Sequence, residues 1–153
     1  MKILMVCLGN ICRSPMAEGI MRHKIEQHRL DWEVASCGTG SWHVGSPPHE
    51  DGQRAMKRRG LDISRQRAQQ FHGHFLESYD LIFAMDSSNY NDVLRQAQSN
   101  EERAKVTMIM NMAEPGTNQS VPDPYYNDDL YDQVFDMLDR ACDAIIEQYA
   151  KRS

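Results

Sequence analysis

The sequence predicts one α/β domain spanning 1–153, a parallel sheet of four strands covered by helices on both faces. Short apolar runs alternate with longer segments of helical spacing, and glycine and proline mark the joints between them. No repeat, low-complexity run or linker-like break divides the 153 residues, and 41% hydrophobic content is enough for one real core.

The elements follow in order. Lys2 to Val6 is a buried strand that runs into Cys7. A helix begins at Ser14-Pro15, proline suiting the first turn, and continues to about Gln27 with Met16, Ile20 and Met21 on one face. Trp32 to Ser36 is a second strand, and the stretch from Gly38 to Pro48 is irregular. The next helix covers about His49 to Arg59 and stops at Gly60, a residue suited to a C-cap. Tyr79 to Met85 is the third strand, followed by a helix capped near Asp86 to Ser88 that reaches about Gln98; Lys105 to Met110 is the fourth. Val134, Leu138, Ala141, Ile145 and Tyr149 give the last helix a core-facing stripe. In such a sheet ligands bind outside the carboxyl ends of the strands, where strand order reverses, and the segment after Cys7 leaves such an end.

That segment, Cys7-Leu8-Gly9-Asn10-Ile11-Cys12-Arg13-Ser14-Pro15, assembles the parts of an anion site. Gly9 and Asn10 tolerate the backbone angles of a tight loop. The loop curls its N–H groups toward one point, and the helix that follows adds its positive end, so the segment reads as a phosphate-binding P-loop. Free cysteine titrates near ~8.5, and a helix N-terminus with a neighbouring arginine lowers this by several units, so Cys7 is expected to be a thiolate nucleophile at neutral pH. Arg13 offers a planar fork that grips two phosphate oxygens at once, which lysine cannot do. Ser14 either caps the helix or donates to the Cys7 sulfur, and the second role is preferred. The bland alternative is a buried core cysteine followed by a surface arginine.

The formal net charge of −5 argues against a nucleic-acid partner. Its distribution matters more than its total, because from Met1 to Ala17 the only basic side chains are Lys2 and Arg13, with no acid, while Asp128, Asp129, Asp132, Asp136 and Asp139 crowd a late segment that reads as a solvated helix face. No stretch approaches the ~20 apolar residues of a membrane span and the start has no signal-peptide pattern, so a cytoplasmic protein without membrane insertion is expected. Four cysteines, two of them in one loop, fit reduced thiols better than a disulfide framework. His72-Gly73-His74, with His43 and His49, lacks a carboxylate or cysteine at ligand spacing, so no metal ligand and no cofactor is assigned.

Asp123 lies between two prolines and ahead of Tyr125-Tyr126. By itself it is equally well a proton donor to a leaving group or a loop aspartate making an Asx turn. Leu8, Ile11, Trp42 and Tyr126, with Tyr125 beside them, are candidates for the walls of a pocket for a flat aromatic group.

The Cys7-to-Pro15 segment resembles the signature of the low-molecular-weight protein tyrosine phosphatases. Ser36-Cys37-Gly38-Thr39 with Trp42-His43-Val44-Gly45 is similar to the family's second segment, Ala84-Met85-Asp86-Ser87-Ser88-Asn89 to its third, and Val121-Pro122-Asp123-Pro124-Tyr125-Tyr126 to its acid loop. Four motifs in family order cover essentially the whole chain. The resemblance implies sheet order 2-1-3-4 and hydrolysis of protein phosphotyrosine and small aryl phosphates through a cysteinyl phosphate on Cys7. Arg13 is then the phosphate clamp and Asp123 the general acid and later base, with Leu8, Gly9, Asn10, Ile11, Cys12, Ser14, Trp42, Tyr125 and Tyr126 at the substrate. It implies that Asn10 and Ser36 hydrogen-bond behind the loop. The family's usual histidine in that network falls at Arg65, so either Arg65 supplies those bonds or the loop is held more loosely. Ile11, where phosphoarginine-preferring relatives tend to carry threonine, favours phosphotyrosine. The resemblance further implies reversible redox protection by Cys12, a monomer or weak self-association, and a tyrosine kinase as partner in bacterial relatives. Two other classes were weighed: an arsenate reductase, which needs a further cysteine pair that this chain lacks between Cys37 and Cys142, and a phosphotyrosine-binding module, which gains nothing from a general acid.

Overall fold

The computed structural model describes residues 1–150. Its architecture follows from alternation within the first strand, β1 (Lys2–Cys7). Ile3, Met5 and Cys7 pack with one buried cluster, and Leu4 and Val6 with another, as the two-residue period of a strand requires. The first cluster is filled by α1 (Arg13–Gln27) and α7 (Tyr131–Ala150), the second by Phe71, by Leu76 of α3 (Phe75–Ser78) and by Val93 of α4 (Ser87–Leu94). Helices therefore cover both faces, and apolar burial is the main term holding the sheet between them, about 1.5–3 kcal/mol for each fully buried large side chain.

The sheet contains β2 (Glu33–Gly38), β1, β3 (Leu81–Ala84) and β4 (Val106–Met108) in the order β2-β1-β3-β4, all pairs parallel. This is the order 2-1-3-4 that the resemblance implies. The chain passes from β1 to one neighbour and returns to the other, so the switch point lies at the carboxyl end of β1. Cys7 ends that strand opposite Gly38. Only glycine fits there, since a Cβ on Gly38 would stand 2.7 Å from the Leu8 carbonyl oxygen and 3.0 Å from the Asn10 nitrogen.

Several boundaries differ from the sequence expectation. β3 and β4 are shorter than their apolar runs, with Tyr79 and Asp80 before β3, Met85 after it, and β4 confined between Lys105 and Ile109, whereas β1 runs on to Cys7 and β2 starts after Trp32 and runs on to Gly38. Apolarity marks burial, not pairing, and Trp32, Met85 and Ile109 are buried outside any strand. The helix capped by Asp86 ends at Leu94 instead of Gln98, and a separate α5 (Asn100–Ala104) starts behind its own Ser99 cap. The first helix begins at Arg13, flanked by Cys12 with no side-chain cap, which places Ser14 inside the first turn. The helix from Glu50 to Arg58, α2, has His49 at its N-cap, and Gly60 takes φ +81° just past its end. A one-turn α6 (Met110–Ala113) lies inside and just beyond the run expected as the fourth strand. Among the described residues no helix is long and apolar enough to cross a membrane.

Candidate active site

The loop after β1 makes its turn at Asn10, whose φ of +57° is left-handed and is tolerated by asparagine better than by most residues. This bend directs the Asn10 N–H to the Cys7 sulfur at 3.3 Å. Ser14 Oγ approaches the same sulfur to 3.0 Å. The serine hydroxyl accepts from Asn10 Nδ2 at 2.7 Å, so its single proton is free to point at Cys7 or, at 3.3 Å, at the Cys37 carbonyl. Of the two roles open to Ser14, the structure provides the contact to sulfur and no helix cap.

Behind the loop Asn10 acts as a three-way tie. Its amide donates to Ser36 Oγ at 2.9 Å as well as to Ser14, and its oxygen accepts the Gln69 N–H at 3.0 Å. The Ser36 hydroxyl donates to Glu18 Oε1 at 2.7 Å, while Gln69 Nε2 donates to the Ser36 carbonyl at 3.0 Å. Asn10 and Ser36 thus lie where expected. Arg65 does not: it lines, with Glu18, a surface depression of about 440 Å³ and supplies none of the hydrogen bonds of this network. Glu18 and Gln69 complete the network instead. Neither had a local signal, because one lies on a helix face and the other in an irregular stretch.

Arg13 is held on its other side. Nη1 donates to Asp86 Oδ2 at 2.7 Å and to the Val121 carbonyl at 3.0 Å, and Nη2 lies 3.9 Å from Asp123 Oδ2. The guanidinium is 4% exposed, so it would be costly to leave unpaired. Burial works against its charge, but Cys7, Asp86 and Asp123 outweigh burial and raise its pKa above the ordinary arginine value. Asp86 was legible in sequence only as a helix cap. It is one, accepting from the Asn89 N–H at 2.8 Å through Oδ1, while Oδ2 orients Arg13.

Asp123 sits across from this pair. Its Oδ1 accepts the Tyr125 N–H at 3.0 Å, an Asx turn that opens a short 3-10 turn at Pro124–Tyr126, while Oδ2 faces Arg13. The two readings left open by the sequence are therefore compatible, since the turn aims the carboxylate at the loop. Together these groups enclose a cavity of about 250 Å³ lined by Cys7, Leu8, Gly9, Ile11, Cys12, Arg13, Trp42, His43, Asp123, Tyr125 and Tyr126. Asn10 and Ser14, expected at the substrate, are absent from this lining and act from behind. His43 joins the wall unforeseen, its ring so close that a Cβ on Gly9 would stand 3.1 Å from it. Among the described residues the exposed large apolar side chains are Leu8, Trp42, Val44, Tyr125 and Tyr126, and all but Val44 line this cavity.

Burial pushes the Cys12 thiol up to about 12 despite a hydrogen bond to the Tyr131 hydroxyl at 3.5 Å, and burial also lifts Cys37 well above the ordinary range. All four cysteines are free. Among the described residues no group of three or more His, Cys, Asp or Glu side chains is placed to hold a metal ion.

A parallel sheet with an anion cradle at its switch point, a buried arginine and a carboxylate over a half-apolar cavity describes an α/β phosphate-handling protein. Comparison with known proteins narrows this: the model of the low molecular weight phosphotyrosine protein phosphatase family matches residues 2–153, and the chain belongs to that family. It is 39% identical over 143 residues to the low molecular weight phosphotyrosine protein phosphatase of Schizosaccharomyces pombe, covering 88% of this chain and 90% of that protein. A crystal structure of protein tyrosine phosphatase from Entamoeba histolytica with Hepes in the active site superposes with a TM-score of 0.92 at 32% identity, covering 99% of this chain and 97% of that one. The structure of DARP, a Drosophila arginine phosphatase, superposes with a TM-score of 0.91 at 29% identity over 100% of both chains. The chain is accordingly an enzyme of the protein-tyrosine-phosphatase kind, acting on phosphoproteins.

Proposed function

We propose that the protein hydrolyses phosphotyrosine in proteins, and small aryl phosphates, through a covalent phosphocysteine on Cys7. The observation that carries this reading is the convergence of the Cys7 sulfur, the Arg13 guanidinium and the Asp123 carboxylate on one cavity. The sulfur attacks phosphorus while the ester oxygen departs. Arg13, kept in place by Asp86 and the Val121 carbonyl, spans the equatorial oxygens as charge spreads over them. Asp123 delivers a proton to the departing tyrosine oxygen and then takes one from the water that cleaves the sulfur–phosphorus bond. Ser14 and the Asn10 N–H stabilise the sulfur when it leaves as thiolate. Nucleophile, clamp and proton donor are all side chains, so this route calls for no metal or cofactor.

The apolar lining favours an aromatic phosphoester. Leu8, Ile11, Trp42, Tyr125 and Tyr126 offer flat contacts, and Ile11 supplies no hydroxyl for a guanidinium substrate. We place the enzyme in the cytoplasm, where four free thiols persist, as a monomer or weakly self-associating protein whose partner is a phosphotyrosine protein, a bacterial tyrosine kinase among the candidates. Cys12 gives the reading a redox side: peroxide converts the Cys7 thiolate to a sulfenic acid, and the Cys12 thiol condenses with it to a disulfide with loss of water. A phosphopeptide screen tests the whole reading. Release of phosphate from phosphotyrosine peptides, undiminished by chelator and absent with phosphoserine or phosphoarginine, is expected; preference for phosphoarginine overturns the substrate assignment. Peroxide inactivation reversed by dithiol, with a Cys7–Cys12 linkage by mass spectrometry, tests the redox side.

A further inference from the structure

His49 occupies a helix N-cap, where a short polar side chain ordinarily bonds the first turn, yet its side chain makes no capping hydrogen bond. It turns toward the site. Its Nδ1 lies 2.9 Å from the Tyr131 hydroxyl and 3.9 Å from Asp51 Oδ2, and its ring meets the Tyr125 ring at 5.2 Å between centroids. Its own N–H donates to the Ile11 carbonyl of the phosphate loop at 2.8 Å. Tyr131 is 1% exposed, stacks on His49 with rings 7° from parallel, and has its hydroxyl 3.5 Å from the Cys12 sulfur. His49 does not line the cavity. One residue thus joins the phosphate loop, the start of α7 and the aromatic residue whose N–H is bonded to Asp123.

We propose that His49 is a positioning residue for the proton-donating loop, holding Tyr125, and through it Asp123, against the phosphate loop. The start of the acid loop is fixed at Val121, which is buried, donates to the Met85 carbonyl at 2.8 Å and accepts from Arg13, but the segment carrying the carboxylate is more open. Asp123 is 41% exposed, its carboxylate makes one turn hydrogen bond and a 3.9 Å ion pair with Arg13, and Tyr126 is 90% exposed. The phosphate loop sits on the sheet with or without the His49 side chain, because the bond to Ile11 comes from the main chain of residue 49. Removing the imidazole therefore loosens the proton donor while leaving nucleophile and clamp in place. The proposal rests on Asp123 being the general acid.

The test compares phosphotyrosine with an aryl phosphate whose phenolate leaves without protonation. In His49→Ala, turnover of phosphotyrosine is expected to fall about tenfold, a fraction of the ~10²–10⁴ that proton transfer contributes, while the activated ester changes by less than about twofold. Tyr131→Phe keeps the packing and removes only the hydroxyl that fixes the imidazole, and should shift the same ratio by about threefold, a loss of orientation without loss of the ring. His49→Phe, which retains a ring against Tyr125, should recover part of the loss. In an Asp123→Asn background, His49→Ala should add nothing to the leaving-group ratio. Equal losses on both substrates, or a further change of ratio in that background, overturn the proposal. If Asp123→Asn itself shows no leaving-group dependence, the general-acid assignment has failed; if it does and neither His49→Ala nor Tyr131→Phe follows, only the role of His49 has.

Discussion

The phosphate loop and the acid loop face each other across one cavity and are built on opposite plans. In the first, Asn10, Arg13 and Ser14, with Ser36 of β2 behind them, are buried, and every one of their side chains is engaged in a hydrogen bond. In the second, Asp123 and Tyr125 are more than a third exposed, and one Asx turn shapes the segment. The difference matches the work that the proposed mechanism gives each. A sulfur nucleophile and a guanidinium that receive a dianion need donors fixed beforehand, because dipoles that must reorganise during the reaction stabilise charge poorly. A proton donor that alternates between leaving group and water, beside an opening that admits a tyrosine of another protein, must stay near solvent.

The comparison breaks most sharply at the nucleophile. Cys7→Ser should abolish turnover by several decades while keeping inorganic oxyanion binding by calorimetry, since a hydroxyl is a far weaker nucleophile in the same cradle. Near-native activity would show that the buried loop does not supply the nucleophile. Arg13→Lys should be nearly as damaging: it keeps the charge but loses the fork and cannot satisfy Asp86, the Val121 carbonyl and phosphate together, so kcat should fall with little recovery at high substrate.

On the exposed side the loss should be smaller and selective. Asp123→Asn should reduce phosphotyrosine turnover by about 10²–10⁴ and an activated aryl phosphate far less. Equal losses would make the two loops alike, both serving only the electrostatics of phosphate. Behind the loop, Asn10→Ala strands the Gln69 N–H, removes the donor to Ser14 and Ser36, and removes a residue suited to φ +57°. It should lower unfolding free energy by about 1–3 kcal/mol in denaturant melts, and kcat more than KM.

The smallest effects probe the walls and the spare thiol. Ile11→Thr should reduce discrimination for phosphotyrosine over phosphoarginine by about 1–3 kcal/mol in relative kcat/KM. Cys12, pushed up to about 12, is protonated through the neutral range, and its reactivity should rise with pH toward that value. Iodoacetamide mapping at neutral pH should leave Cys12 unlabelled in folded protein; prompt labelling would mean that burial does not hold the proton on it.

The order of strands and helices and the cysteine-to-arginine loop were legible in the sequence because each is local: alternation fixes a strand face, and seven consecutive residues place sulfur, left-handed turn, guanidinium and helix start at one strand end. Asp123 was legible only as one of two kinds of aspartate, and the resemblance tipped it. Strand ends depart from the apolar runs because burial outruns pairing. What the tertiary structure alone decided is how the loop is held. Arg13 finds Asp86 and the Val121 carbonyl 73 and 108 residues away. The position expected for the supporting network, Arg65, gives way to Glu18 and Gln69, and His49 faces the site instead of capping its helix. Hydrogen bonds between distant segments carry no periodicity, and any of several polar residues on a helix face or in a loop could make them. Their partners are chosen by the packing of helices on the sheet, which spacing along the chain does not encode.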